Sequence, residues 1–386
     1  MLPVILTLTF LCSLITLFIL NRAINAHKST LVYNGNYPSI SVIRPVKGLD
    51  VDAAENFRAA LHTGYKGRVE TIFIFDDEND PAYAVAQAVV DQYKSEGGLN
   101  PVKILFSGPP PQGRTGKLNA MILGEAEASC ELVAFADSDT RPDQNVLRIL
   151  VETLLTTPNA GSVFTPVIVD QPVRRSGDVF YALLQNALYA PFALLAAGKS
   201  RTLPFIMGQY MVLTRECLTK IGGVACATGQ LVDDMAIGKV VHDNGFLNVI
   251  APYSLSIVSS GLSLRDFMPI FRKWFHFARN GLSFSFLWRQ WLFGAFFFIP
   301  LFALPIAIVL GQWWSVFLCF VDLTIFACGL IWLHEKFGAA KIPFRYYWTP
   351  FVILILSLFI FFTNRVSKKV MWRGRVYNVD NRAALN

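Results

Sequence analysis

Leu132-Val133-Ala134-Phe135-Ala136-Asp137-Ser138-Asp139 is five apolar residues closed by two carboxylates one position apart. A short continuous apolar run that stops at turn residues is the pattern of a buried strand. Two carboxylates at i and i+2 on the edge of a crevice can share a divalent cation with phosphate oxygens. Mg²⁺ and Mn²⁺ are hard cations that take carboxylate oxygen and fill their shells with few protein ligands plus phosphates. The same acids could instead cap a helix opening at Gln144. Their place at a strand end favours the metal, because ligands of α/β sheets gather there.

Outward from this strand the pattern keeps changing period. Ser39–Arg44, Val69–Phe75 and Val102–Phe106 read as strands, and Ala53–His62, Ala82–Tyr93 and Lys117–Ala128 as helices. Strands alternating with helices predict βαβ units and an α/β domain with a mostly parallel sheet covered on both faces. Gly108 to Gly116, with Pro109, Pro110 and Pro111 in succession, is a loop.

Further groups stand at predicted strand and helix ends. Asp76-Asp77-Glu78-Asn79-Asp80-Pro81 follows the Val69–Phe75 strand, where acids serve equally as base or ribose contacts and as a turn with a helix cap. Lys117, beside the turn Gly113-Arg114-Thr115-Gly116, could meet a diphosphate at a helix start or simply be solvated there; the spacing is not that of a P-loop. Asp233 and Asp234 open another helix, as caps or as chemistry. A general base must reach the acceptor hydroxyl and accept its proton, and Asp234 is the candidate. Arg265, Arg272, Lys273 and Arg279 are interleaved with Phe and Trp around Pro269–Trp274, which reads as an amphipathic interfacial helix, with a plain membrane anchor as the alternative.

The apolar fraction, 53% of 386 residues, and the mean hydropathy of +0.43 exceed those of an ordinary soluble chain. The excess lies at the two ends. Leu2–Leu20 followed by Arg22 and Lys28 reads as an uncleaved signal anchor whose positive flank leaves the next domain in the cytosol. Trp291–Leu310, Trp313–Leu333 and Tyr347–Phe362 approach the ~20 residues of a span and carry aromatic residues near their ends. The resulting plan is an anchor at 1–22, a globular domain at 36–263, an amphipathic segment at 264–290, transmembrane helices at 291–363 and a basic cytosolic tail at 364–386. Three late spans would carry that tail out of the cytosol, yet it holds Arg365, Lys368, Lys369, Arg373, Arg375 and Arg382 against one Asp. One run is therefore expected to be re-entrant or interfacial, and the last, with Pro350, is the shortest. The net charge of +7 sits beside apolar spans, which suits anionic lipid headgroups and not nucleic acid. The six cysteines form no C-x-x-C pair, which argues against a disulfide framework or a zinc site and fits a reduced compartment.

Taken in order, these groups resemble the inverting GT-A glycosyltransferases, and most closely the ceramide glucosyltransferase-like group. The resemblance runs from Ser39 to about Arg279. It rests on Pro45-Val46-Lys47-Gly48, Asp77 with Asp80-Pro81-Ala82, the Asp137 strand end and Asp234, with a further echo in Trp372-Arg373-Gly374-Arg375-Val376-Tyr377. It implies a GT-A (Rossmann-like) catalytic domain flanked by transmembrane helices. In that pattern Asp77 contacts the nucleotide, Asp137 and Asp139 hold Mn²⁺ or Mg²⁺ and the donor diphosphate, with Lys117 adding charge, and Asp234 is the base. Gly208, Gln209, Asp233, Arg272, Lys273 and Trp274 would line the acceptor or diphosphate side. Trp274 matches the tryptophan of the (Q/R)-x-x-R-W motif, but Ile270 and Lys273 depart from it; lysine keeps the charge and loses the planar fork, while Arg272 could serve by a register change. The implied activity is transfer of glucose from a UDP-sugar donor to ceramide with inversion, in a multi-pass membrane protein whose catalytic domain faces the cytosol. A hopanoid or diacylglycerol acceptor is the alternative; polysaccharide extrusion and a non-catalytic scaffold are the rival functions. Short loops and compact length point to a bacterial inner membrane over the Golgi.

Overall fold

The computed structural model describes residues 1–28, 33–282, 284–363, 369–379 and 384–385, and the side chains of all of these but 279–281 and 284–286. In chain order the elements are α1 (Leu2–His27), β1 (Ile40–Pro45), α2 (Ala53–Leu61), β2 (Val69–Phe75), α3 (Pro81–Ser95), β3 (Val102–Phe106), α4 (Gly116–Glu127), β4 (Leu132–Ala136), β5 (Thr140–Arg141), α5 (Val146–Thr156), β6 (Ala160–Phe164), β7 (Val167–Ile168), α6 (Ser176–Leu183), α7 (Ala190–Ala197), β8 (Thr202–Leu203), β9 (Tyr210–Thr214), α8 (Arg215–Ile221), α9 (Asp233–Asp243), β10 (Leu247–Ile250), β11 (Leu255–Ile257), α10 (Leu264–Gly281), α11 (Phe284–Val309), α12 (Trp313–Lys336), α13 (Thr349–Thr363), β12 (Lys369–Trp372) and β13 (Arg375–Asn378).

Eight strands form one sheet in the order β3-β2-β1-β4-β9-β6-β10-β8. β9 runs antiparallel between β4 and β6, and β8 antiparallel to β10; the other pairings are parallel. Alternation along β2 divides the core. Phe73 and Phe75 pack with Phe57 and Val90 of α2 and α3, while Ile72 and Ile74 join Leu118 and Met121 of α4. Burying each such side chain contributes about 1.5–3 kcal/mol. The reversed β9 matters for the site. It brings the residue before β9 beside the residue after β4, so the Asp137 N–H donates to the Gln209 carbonyl at 2.9 Å.

Among the described residues, five helices are long and apolar enough to cross a membrane: Leu2–His27, Ser176–Ser200, Leu287–Val309, Trp313–Lys336 and Phe344–Thr363. The sequence reading found four of these. The one it passed over, Ser176–Ser200, lies within the stretch read as globular and contains a π-helical turn at Leu184–Tyr189. Both its ends are tied to the sheet domain. Near its start Asp178 Oδ1 accepts from the Leu262 N–H at 2.8 Å, and beyond its end β8 pairs with β10. It therefore returns the chain to the body it left.

The last elements also return. α11 and α12 are joined by a tight turn. The Tyr346 hydroxyl, ahead of α13, donates to the Arg174 carbonyl, and Phe361 near its end packs edge-on against Phe275 of α10. The β12–β13 hairpin then folds over the sheet domain. Lys369, Arg373 and Arg375 of the basic tail lie in this hairpin; Arg365, Lys368 and Arg382 lie outside the described residues, as does the side chain of Arg279.

Candidate active site

The strand end that opens the sequence reading forms the floor of a cleft of about 400 Å³. Asp137 Oδ1 meets Lys117 Nζ at 2.6 Å. The Ser138 hydroxyl donates to Asp50 Oδ2 at 2.5 Å, and Asp139 faces the cleft with an Oδ1 that is shielded from solvent and has no hydrogen-bond partner. Burial, then the charges of Asp137 and Asp50, push the Asp139 carboxyl up to about 6. Below the turn, the fully buried Arg44 of β1 donates Nη2 to the carbonyls of Asp137 and Thr140 at 2.8 and 2.9 Å. Among the described residues no three His, Cys, Asp or Glu side chains form a cage for a cation. A lone oxygen at Asp139 amid crowded negative charge fits a hard cation that takes its remaining oxygens from a diphosphate.

The second acidic group reaches the same place from α9. Asp234 Oδ2 accepts from the Gly208 N–H at 2.6 Å, and Oδ1 from the Met235 N–H at 2.8 Å. The approach requires glycine: a Cβ on residue 208 would lie 2.3 Å from the Asp234 Cβ. Asp233 is buried, accepts from the Asp234 N–H at 2.8 Å and receives the Thr115 hydroxyl at 3.5 Å. Burial raises both carboxyls, Asp233 to about 6, and the nearby Lys117 charge pulls them back. Burial opposes the Lys117 charge too, but Asp137, Asp233 and Asp234 together outweigh it and hold the ammonium charged. Lys117 thus links the strand-end acids to the helix-start acids.

A smaller apolar recess, about 90 Å³, adjoins the cleft through Lys117, Asp137, Gln209, Lys273, Trp274 and Trp372. Phe205, Met207, Leu231 and Phe277 wall it, Asp233 and Asp234 line it, and Leu282 and Gln290 bring it against the junction of α10 and α11. α10 decides which tryptophan-motif residues take part. Lys273 and Trp274 line both cavities, with burial lowering Lys273 to about 8, whereas Arg272 is exposed on the outer side and lines neither. No register change brings Arg272 in.

Asp77 is a second departure. It is exposed, accepts from the Asn79 N–H at 2.8 Å in a turn and does not line the cleft. The carboxylate that does is Asp76, buried and paired with Lys47 Nζ and Arg375 Nη2, each at 2.7 Å. Asp80 caps α3 and accepts from the Gly48 N–H at 2.9 Å, which draws the Pro45–Gly48 turn onto the end of β2. The cleft also holds groups that the sequence reading left unassigned: Lys47, Asp50, Arg373, Arg375 and Tyr377. Their only sequence signals were the Pro-Val-Lys-Gly turn and the Trp-Arg-Gly-Arg tail.

Comparison with known proteins agrees with this architecture. The mannosyltransferase PcManGT from Pyrobaculum calidifontis, solved with GDP-Man and Mn²⁺, superposes with a TM-score of 0.50 at 16% identity, covering 92% of this chain and 98% of that one. The shared fold is GT-A. Ceramide glucosyltransferase 3 of Caenorhabditis elegans is 21% identical over 243 residues, 62% of this chain and 50% of the relative. Ceramide glucosyltransferase of Candida albicans is 24% identical over 237 residues, 58% of this chain and 39% of the relative. The chain spans at most about half the length of these curated relatives. Residues 3–385 match the sequence pattern of glycosyl transferase family 21, and the chain belongs to that family.

Proposed function

We propose that the chain transfers a sugar, glucose in the first instance, from a nucleoside-diphosphate sugar to the hydroxyl of a membrane lipid such as ceramide, with inversion. One observation carries the reading: Lys117, paired with Asp137 in a polar cleft that Asp139 also lines, borders an apolar recess lined by Asp233 and Asp234 beside α11. A polar donor and a greasy acceptor would meet at that junction. The names of the ceramide glucosyltransferase relatives support the choice of sugar and lipid.

In this reading the donor lies in the cleft, with Asp76 in the nucleotide-contacting role that the resemblance gave to Asp77. Lys117 and Lys273 place positive charge near its diphosphate. The lipid hydroxyl enters from the recess, and Asp234, fixed by the Gly208 N–H, accepts its proton. The hydroxyl oxygen bonds to the anomeric carbon from the face opposite the leaving group. The bond to the diphosphate oxygen breaks, its electron pair leaves on the diphosphate, and the configuration inverts. Asp137 and Asp139 would hold Mn²⁺ or Mg²⁺, whose chemistry here is Lewis-acid neutralisation of the leaving diphosphate. Apolar walls exclude water, which disfavours hydrolysis of the donor.

The test is UDP release from UDP-glucose by purified protein, with and without Mn²⁺, across ceramide, a hopanoid and diacylglycerol. Metal-dependent release with one lipid is expected. Release without any lipid, or none with any nucleotide sugar, would overturn the reading.

A further inference from the structure

We infer that Arg373, carried into the cleft by the C-terminal hairpin, is a ligand of the donor's diphosphate and supplies the planar fork that Lys273 lacks. This rests on the cleft being a nucleoside-diphosphate sugar site.

β12 and β13 pair over four residues each, joined by Arg373-Gly374, whose φ angles are 50° and 75°. Positive φ at both central positions is the type I′ turn, for which Asn-Gly is the preferred pair. Arginine is not the residue the turn asks for; what it adds is a guanidinium. That group reaches Asp50 Oδ1 at 2.6 Å, and the same Asp50 accepts the Ser138 hydroxyl between Asp137 and Asp139. The fork therefore stands at the edge of the acidic turn proposed to hold the metal. Among the described residues only Nη1 of its donors is engaged, and its side chain remains 38% exposed at the cleft.

The position is held from several sides. Arg375 Nη2 pairs with Asp76 at 2.7 Å, the Gly116 N–H donates to the Tyr377 hydroxyl at 3.2 Å, and Trp372 packs edge-on against Phe277 with ring centroids 5.9 Å apart. Lys273 Nζ lies 5.4 Å from the Trp372 ring centroid. Lys273 stands where the tryptophan motif has arginine, and a lysine is a point charge without the fork that matches phosphate oxygens. The residue following Trp372 restores that geometry from another part of the chain. Fork-to-phosphate pairing is charge-assisted and bidentate, which makes it strong as well as directional.

The test uses the full chain in detergent or nanodiscs with Mn²⁺, and calorimetric binding of UDP, GDP and UMP. Arg373→Asn removes the guanidinium while keeping the turn. It is expected to weaken diphosphate binding roughly tenfold to a hundredfold, and to leave UMP within about twofold. Arg373→Lys should fall between. Asp50→Asn, which keeps the guanidinium and removes its ion pair, should cost clearly less UDP affinity than Arg373→Asn. If Arg373→Asn and Asp50→Asn weaken UDP and UMP alike, the pair is a structural staple and the assignment fails. An unchanged UDP affinity in Arg373→Asn sinks it too, with the donor reading intact. Failure of the unaltered chain to bind any of the three nucleotides overturns the donor reading and this inference together.

Discussion

Asp234 is fixed by two backbone N–H donors and raised by burial, a combination that keeps a carboxylate oriented while making it more basic. Asp234→Asn should keep UDP binding and lower the transfer rate by roughly 10² to 10⁴, the usual span for removing a general base. A scaffold would keep its cellular role with this change. The proposed base works only when deprotonated, and burial raises its pKa, so the acid loss of kcat/KM should begin above the ordinary carboxylate range. At the other end, Lys273 is charged below about 8 and neutral above it, so donor affinity should decline as pH rises through that value. Arg at 273 stays charged throughout; an alkaline limb that persists in Lys273→Arg would show that another group sets it. A residue's facing was most legible where a strand aims it: Asp137 directly follows an apolar run, and its strand end favoured the crevice over a helix cap. Asp76 and Asp77 follow a strand equally closely, but the turn after Phe75 has no period, so nothing local told which of the two faces the cleft.

Two elements meet at Gly208, the stretch before β9 and the start of α9. Because a Cβ there would overlap the Asp234 side chain, Gly208→Ala should displace the base and cut the rate by roughly a hundredfold, the scale of a 1 Å misplacement. Thermal unfolding of the variant, followed by circular dichroism, should move far less than the rate does; a collapse in stability of matching size would assign the effect to folding. The helices and strands from β1 to β4 were readable because hydrophobic period and turn residues agree there. The facing of α10 was less so. Its amphipathic pattern marks a helix at an interface, but Arg272 and Lys273 are adjacent, and only packing against Tyr189 and Trp372 shows that Lys273 turns inward. The hairpin was least legible of all. Its contacts join residues 373 and 375 to residues 50 and 76, and pairing at that separation leaves no local pattern.

At the scale of the molecule, we propose that the tail and the sheet domain lie on one side of a membrane. Contacts from Arg373 and Arg375 to that domain require an even number of crossings between them. In this proposal α11 and α12 cross as a pair, and α13, with contacts to Arg174 at one end and Phe275 at the other, does not cross. In a cysteine-free background, a cysteine at Gly311 in the α11–α12 turn should be labelled only from the face opposite the sheet domain, and one at the exposed Met371 only from the face of the sheet domain. Labelling of both positions from one face would refute this arrangement. The site also has a history in time. Its walls come from residues 44 to 50 near one end and 372 to 377 near the other, so a chain emerging from the ribosome has no complete cleft until α11 and α12 have been made. The cleft is therefore closed only after the apolar helices between its two walls have been made.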